Sequence, residues 1–386
     1  MSVPAPQDIS APIRIARVRG AKALNLFIEV AYRIRGVETH WVPPLRRDMR
    51  TLLDRDKHPF HQHAAVEYFL AFREGRCVGR IAAIENYAHN QFHNENIGFF
   101  GFLDAEPQPD VFKALLRAAE RWAKGRRLTA LRGPCSFSTN EECGLLVEGF
   151  DSLPVLMTPW NPPNYPTFVE AAGYTKAKDL WQWWMNEATY NERIGRLAEK
   201  LLEKLRAKEG SVVLRHLRIE EFEAELARFQ KVYNSAWEKN WGFIPMTAAE
   251  IEFMARELKP VLIPEYVQFV EVNGEPVGAA LTMPDYNVVL RHLEGKLGPK
   301  QIALFLMLKK QIKAIRVMAL GVRADFRNRG LESLLVHETI KAARARGAWA
   351  AEMGWILEDN APMNRILEAC GARHYKTHRI YEKQLA

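Results

Sequence analysis

The residues Arg316-Val317-Met318-Ala319-Leu320-Gly321-Val322-Arg323-Ala324-Asp325-Phe326-Arg327-Asn328-Arg329-Gly330-Leu331-Glu332-Ser333-Leu334-Leu335 decide how this chain is read. The first seven are apolar around one arginine and read as a buried strand; residues 331–346 read as a helix. A strand turning tightly into a helix presents backbone N–H groups at the positive helix end, a natural seat for phosphate. Gly330 lets the backbone approach such an anion closely, and Arg323, Arg327 and Arg329 supply countercharge. Each charge-assisted hydrogen bond of that kind contributes roughly 1.5–3 kcal/mol. Charge and one glycine alone fit an exposed basic loop before an ordinary helix equally well.

Working outward, residues 212–216 read as a strand, and 220–237 and 248–258 as helices. A hairpin follows at 266–282, then an apolar helix at 300–313 that reads as buried, with residues 302–308 either filling a core or walling an apolar pocket. After the 331–346 helix come a strand at 349–357, a helix at 361–370 and a closing strand at 374–383. Hairpins mixed with strand–helix–strand steps predict an α/β fold on a mixed parallel and antiparallel sheet flanked by helices.

The same order occurs twice. Glu67-Tyr68-Phe69-Leu70-Ala71-Phe72-Arg73-Glu74-Gly75-Arg76-Cys77-Val78-Gly79 aligns with Glu265-Tyr266-Val267-Gln268-Phe269-Val270-Glu271-Val272-Asn273-Gly274-Glu275-Pro276-Val277-Gly278. Val169-Glu170-Ala171-Ala172-Gly173 aligns with Leu367-Glu368-Ala369-Cys370-Gly371, a helix end followed by glycine. A nearly constant offset at two distant places predicts tandem domains, at 1–188 and 189–386. In the first copy the segment before the helix at 111–124 is Leu103-Asp104-Ala105-Glu106-Pro107-Gln108-Pro109-Asp110. Three acids and two prolines, without arginine or glycine, would repel a phosphate, so the first copy is not expected to hold one.

Composition excludes several classes. The 386 residues are 48% hydrophobic and 26% charged, ordinary for a protein with packed cores. The N-terminal residues 1–12 show no secretory pattern, and the longest apolar run, 302–308, is far too short to span a bilayer. Four cysteines without framework spacing fit a reducing cytoplasm. The net charge of +8 favours anionic partners, and no nucleic-acid recognition motif accompanies it. An anionic membrane face is one such partner, with the amphipathic stretch 194–206 and its Lys200, Lys204 and Arg206 as the contact, although a linker helix reads the same way. His58, His61 and His63 lack a standard metal spacing, so no metal is expected.

The run Arg327-Asn328-Arg329-Gly330 resembles the Arg/Gln-x-x-Gly-x-Gly/Ala signature of GNAT acyltransferases, with Glu332 where the second small residue usually stands. Asn360-Ala361-Pro362-Met363-Asn364, continuing to Gly371, resembles the strand exit and following helix of that fold, with Leu367 at the position of a frequent tyrosine acid. The whole chain resembles the bacterial ceramide synthase-like family of duplicated GNAT proteins. That likeness rests on Arg132-Gly133-Pro134, Phe137-Ser138-Thr139-Asn140-Glu141-Glu142-Cys143-Gly144-Leu145-Leu146-Val147-Glu148-Gly149-Phe150, Tyr233-Asn234, Ala236-Trp237, Asn240-Trp241-Gly242-Phe243, Trp355-Ile356-Leu357-Glu358-Asp359-Asn360 and Arg379-Ile380-Tyr381-Glu382-Lys383.

The resemblance implies an acyl-CoA co-substrate held by Leu320, Gly321, Val322, Arg327, Asn328, Arg329, Gly330 and Leu331, with a backbone N–H at the strand end facing the oxyanion. It implies an amine acceptor of sphingoid type, with Asn140, Glu141, Trp237, Asn240 and Trp241 expected to line its pocket and no obligate protein partner. The expected chemical groups are Glu358 and Asn360 near the end of one strand and Tyr381, or Tyr375, on the last. Asp359, beside Glu358 the other candidate base, fits a helix cap better, and tryptophans in such a cluster more often pack a core. Glu332 and Leu367 keep open a non-catalytic acyl-CoA binder, and an acetyltransferase for a small amine is the other alternative.

Overall fold

The computed structural model describes residues 11–36, 38–208 and 212–385. The N-terminal stretch read above as lacking a leader lies largely outside them. Contacts group the chain into two compact units: Met1–Lys178 with His378–Ala386, and Asp179–Thr377.

The first unit runs β1 (Arg14–Arg17), α1 (Gly20–Arg35), α2 (Arg46–Leu53), β2 (Ala64–Arg73), β3 (Arg76–Asn86), α3 (Tyr87–His93), β4 (Ile97–Ala105) and α4 (Pro109–Gly125). It continues through β5 (Ala130–Gly133), the short β6 (Cys135–Ser136), β7 (Glu142–Cys143) and β8 (Leu145–Glu148), then α5 (Tyr165–Ala171) and the first residues of β9 (Thr175–Asn186). Its strands lie in the order β1–β2–β3–β4–β5, antiparallel except for the parallel β4–β5 pair. Residues 381–384, from the chain's last strand, complete it by pairing antiparallel with β5.

The second unit begins within β9 and adds α6 (Glu192–Lys208), β10 (Val212–His216), α7 (Phe222–Trp237), α8 (Ala248–Leu258), β11 (Val267–Val272), β12 (Glu275–Pro284), α9 (Asn287–Leu290) and α10 (Pro299–Leu308). Then come β13 (Ala314–Val322), α11 (Leu331–Ala345), β14 (Ala350–Leu357), α12 (Ala361–Ala369) and β15 (Arg373–Gln384), which belongs to this unit up to Thr377. The order is β10–β11–β12–β13–β14–β9, again with one parallel pair, β13–β14. The expected mixed sheet with flanking helices is what forms.

The repeat is visible in backbone detail. The hairpin turns Glu74-Gly75 (φ 49° and 80°) and Asn273-Gly274 (φ 52° and 80°) are left-handed at both central positions, matching the twist of the strands they join. The helix ends repeat as well: Tyr174 N bonds Val169 O, and Ala372 N bonds Leu367 O, around Gly173 and Gly371 at φ 90°.

Two local expectations are corrected. Helix α10 is not a core element, since none of its residues is buried. Apolar composition identifies a helix that could be buried but supplies no neighbour to cover it. The cap of α12 is Asn360, not Asp359: its side chain accepts a hydrogen bond from Met363 N at 3.3 Å, leaving Asp359 one residue too early.

Candidate functional site

In the second unit the parallel ladder between β13 and β14 covers only Ala314–Val317 against Ala350–Met353. Both strands continue, β13 to Val322 and β14 to Leu357, so the sheet opens there into a wedge. Met318, Ala319 and Leu320 on one side and Trp355, Ile356 and Leu357 on the other are only half-buried. The register of β12 against β13 skips Met318, a β-bulge that changes the alternation of side chains. Val317 and Leu320 therefore pack toward α11, while Met318 and Ala319 both pack toward α7. On that α7 side Gly321 leaves room for Trp237: a Cβ there would lie 2.6 Å from the indole Cη2.

At the open end of β13 the loop turns into α11. Asn328 (φ 61°) and Gly330 (φ 78°) are both left-handed, and Gly330 caps the helix without a side chain, so the first-turn N–H groups receive no side-chain cap. A Cβ on Gly330 would meet Leu201 Cδ2 on α6 at 2.4 Å, in a left-handed conformation that already favours glycine. The three arginines have different surroundings. Arg323 is held by Glu275 at 3.1 Å and Asp325 at 2.8 Å, so it is already neutralised. Arg327 donates to the Ala236 carbonyl at the end of α7, tying the loop to that helix. Arg329 is exposed, its guanidinium 4.7 Å from the Phe326 ring centre. Glu332 lies in the first helical turn, half-buried.

The base of the wedge holds charge that the sequence did not reveal. Arg316 on β13 and Glu352 on β14 are register partners, one rung before the strands part. Glu352 is 0% exposed and Arg316 4%. Arg316 Nε lies 3.5 Å from Glu352 Oε2, and neither Glu352 oxygen accepts a hydrogen bond among the described residues. Gly354 clears the space beside this carboxylate, since a Cβ there would lie 2.8 Å from Glu352 Oε1. Asp285, Lys376 and the Tyr375 side chain complete the electrostatic surroundings. Burial pushes Glu352 up to about 8; Arg316 and Lys376 oppose the rise and Asp285 adds to it. Burial, and then Glu352, push the Tyr375 hydroxyl well above its ordinary value. The Tyr375 hydroxyl and both amide atoms of Gln182 are buried without hydrogen-bond partners among the described residues. A buried polar group left unsatisfied costs about 1–3 kcal/mol, so a set of them beside an open wedge is what a polar ligand would stabilise.

The other expected residues fall as follows. Leu320, Gly321 and Val322 end β13, and Leu331 opens α11. Glu358 follows β14 and accepts from Asp179 N at 3.0 Å, while Asn360 caps α12; both are engaged in holding the backbone. Trp237 stacks on Tyr233 with ring centres 4.7 Å apart, and Asn240 N bonds Trp237 O in the turn that leads to Trp241. Tyr381, Asn140 and Glu141 lie in the first unit. Tyr381 is fully buried and donates to Glu170 Oε1 at 2.8 Å. Glu141 accepts from Phe137 N and lies 3.5 Å from His58, and Asn140 N bonds Ser138 Oγ.

The first unit's own parallel pair also parts, after Phe99 and Arg132, but the chain fills the gap. Phe102 N donates to Ser136 Oγ at 3.1 Å, and a Cβ on Gly101 would meet the Cys135 carbonyl oxygen at 2.0 Å. The acids of its β4–α4 segment are taken up by arginines: Asp104 by Arg35 and Arg80, Glu106 by Arg33 and Arg76, Asp110 by Arg73. Burial would raise the Asp104 carboxyl, but Arg35 and Arg80 hold it below its ordinary range.

Residues 226–372 match the Acetyltransferase (GNAT) family model. The chain is 35% identical over 383 residues to the bacterial ceramide synthase of Caulobacter vibrioides (strain NA1000 / CB15N), covering 97% of this chain and 98% of that one. The chain belongs to the bacterial ceramide synthase-like family of tandem GNAT proteins. Protein YghO of Escherichia coli (strain K12) is 33% identical over 370 residues, 94% of this chain and 93% of its own. Among solved structures, a tandem GNAT protein from the clavulanic acid biosynthesis pathway superposes with a TM-score of 0.55 at 13% identity, over 97% of this chain and 99% of that chain. That last likeness concerns the fold. The protein is a GNAT-type N-acyltransferase, and among the described residues the parting of parallel strands that is left half-exposed lies in the second unit.

Proposed function

We propose that this protein transfers the acyl group of an acyl-CoA to the primary amine of a long-chain, sphingoid-type base. The observation that carries the reading is the half-exposed wedge between β13 and β14, with an anion-receptive loop at its mouth and an ionisable carboxyl at its base. The diphosphate of CoA would sit on the first-turn N–H groups of α11 with Arg329 and Arg327 as countercharge. The backbone at Leu320, Gly321 and Val322 would carry the pantetheine and face the thioester oxygen. Trp237, with Asn240 and Trp241 after it, would form the α7-side wall. The first unit, where Asn140 and Glu141 lie, would hold no CoA of its own.

The amine nitrogen attacks the thioester carbonyl; a C–N bond forms and the C–S bond breaks. The proton released by nitrogen passes to the Glu352 carboxylate; the departing thiolate takes the Tyr375 proton only as Glu352 gives its own back to that oxygen, so the thiol leaves protonated and both side chains end as they began. A carboxyl poised near 8 is better matched to an alkylammonium than an ordinary glutamate is. Glu358 and Asn360 then act by holding the segment after β14 rather than by proton transfer.

The sphingoid acceptor is supported by the name of the Caulobacter relative and its coverage of nearly the whole chain. Because a long-chain base partitions into bilayers, the reading also calls for peripheral contact with a membrane. Product mass spectrometry with acetyl-, octanoyl- and palmitoyl-CoA against sphinganine and ketosphinganine tests it. An N-acyl product lost on Arg329→Glu is expected; a clear preference for acetyl-CoA and a small amine would overturn the lipid acceptor.

A further inference from the structure

Helix α10 is amphipathic in an unusual sense: no residue of it is buried, yet most are apolar. Ile302 is 49% exposed, Leu306 51% and Met307 63%. Ile302 and Leu306, and likewise Ala303 and Met307, are four residues apart and lie on one side of the helix. Phe305 stacks on Tyr286, ring centres 5.6 Å apart, which anchors the helix to the unit. Leu297 before the helix and Trp349 after it are also exposed, and Trp349 N bonds the Lys313 carbonyl, which ties the two backbone segments together.

The charge carried by the helix and its flanks in sequence has a single sign. From Leu297 to Lys313 the sequence has four lysines, Lys300, Lys309, Lys310 and Lys313, and no acid. All four are exposed, and none forms an ion pair among the described residues. Elsewhere the protein's surface arginines and lysines commonly face carboxylates, as Arg346 does Glu265 and Arg344 does Glu192. An exposed apolar helix whose own segment carries lysines and no acid, with an exposed tryptophan near its end, suits a surface that is itself apolar below and anionic above.

We propose that α10 with Trp349 and its lysines docks the protein on an anionic lipid bilayer, lying in the interface rather than crossing it. The proposal rests on the lipid-acceptor reading above, since it supplies the contact through which a long-chain base would be reached. Among the described residues no helix is long and apolar enough to cross a membrane. The sequence had pointed to α6 instead. Its Ala198 and Leu205 are buried against α11 and β10 neighbours, and Leu201 packs on Gly330, so its apolar face is already covered.

The test is co-sedimentation of the full chain, without substrate, with phosphatidylcholine vesicles and with vesicles of phosphatidylcholine and phosphatidylglycerol. Binding to the anionic vesicles, weakened by salt, is expected. Each lysine near an anionic surface strengthens binding about fivefold, so Lys309→Glu with Lys310→Glu should weaken it at least tenfold. Leu306→Asp with Met307→Asp should do the same. All four positions are exposed, so thermal unfolding should not move, whereas Lys200→Glu with Lys204→Glu on α6 should leave binding unchanged. Equal binding by the α10 variants, or no preference for anionic vesicles, overturns the proposal. So does a concentration-dependent dimer dispersed by Leu306→Asp with Met307→Asp, which would make a second copy the occupant. Vesicle binding does not depend on turnover, and acyl transfer to detergent-dispersed sphinganine should be unchanged in the α10 variants, so failure here and failure of the transferase reading are separable.

Discussion

Glu352 and Arg316 face each other across the parallel β13–β14 pair, 3.5 Å apart and buried, one rung before the two strands separate. The pair is long for a salt bridge, and neither carboxylate oxygen accepts a hydrogen bond among the described residues. Such a carboxyl is stabilised poorly in its charged form and remains able to exchange its proton.

Replacing Glu352 with Gln should therefore lower kcat by about 10²–10³, within the range of a lost proton-transfer group, and leave the affinity for acyl-CoA unchanged. In the wild type, kcat should rise with pH and level off above about 8, as Glu352 becomes ionised. The variant should lose that limb. Steady-state rates from pH 6 to 9 decide it, and an unchanged profile in the variant assigns the limb elsewhere.

The same group makes a statement about stability. An ordinary glutamate in the unfolded chain releases its proton at about 4.5, but Glu352 in the folded chain does so at about 8. Between these values the folded state binds more protons, so stability must fall as pH rises through that window. Urea unfolding at pH 6 and pH 8.5 should show the decline, and Glu352→Gln should flatten it. A wild type equally stable at both values would show that Glu352 is already charged at pH 6.

Arg329 and Arg323 should behave differently although they are six positions apart on one loop. Arg329→Ala should weaken CoA binding about tenfold to a hundredfold, the loss of one charge-assisted hydrogen bond at roughly 1.5–3 kcal/mol. Arg323→Ala should change it far less, because Glu275 and Asp325 already neutralise that guanidinium. Calorimetric titration with CoA separates them; equal losses would put Arg323 in the phosphate seat.

Gly321→Ala places a methyl group 2.6 Å from Trp237 Cη2 and 2.9 Å from the Ala236 Cβ. The indole must move off β13, at about 1–3 kcal/mol of stability. Thermal unfolding should register that loss. A variant as stable as the wild type would mean that the α7 end is free to withdraw.

The hairpins, the helix at 331–346 and the duplicated order were legible because each is written in consecutive residues: alternation, Asn-Gly or Glu-Gly at a turn, glycine after a helix. The Arg327–Gly330 loop was legible for the same reason. Glu352 was not, because its meaning lies in a partner on another strand, and nothing in Ala350-Ala351-Glu352-Met353 announces the register that sets it against Arg316. The skipped register at Met318 hid equally well, since a bulge has no sequence signature of its own. Helix α10 was misread for a third reason: hydrophobicity records what a segment could bury, and only the surrounding chain determines whether anything covers it.

The strand pairing of the first unit also bears on how the protein is made. Residues 381–384 hydrogen-bond to β5, and Tyr381 and Lys383 reach Glu170 and Glu120. A ribosome releases those residues about two hundred positions after Lys178, at some 5–20 residues per second, so the first unit waits on the order of ten seconds or more with one sheet edge unpaired. During that interval the exposed edge of β5 is a template for the wrong strand. Nascent chains stalled before residue 378 should accordingly lean on chaperones, while released full-length chains should not.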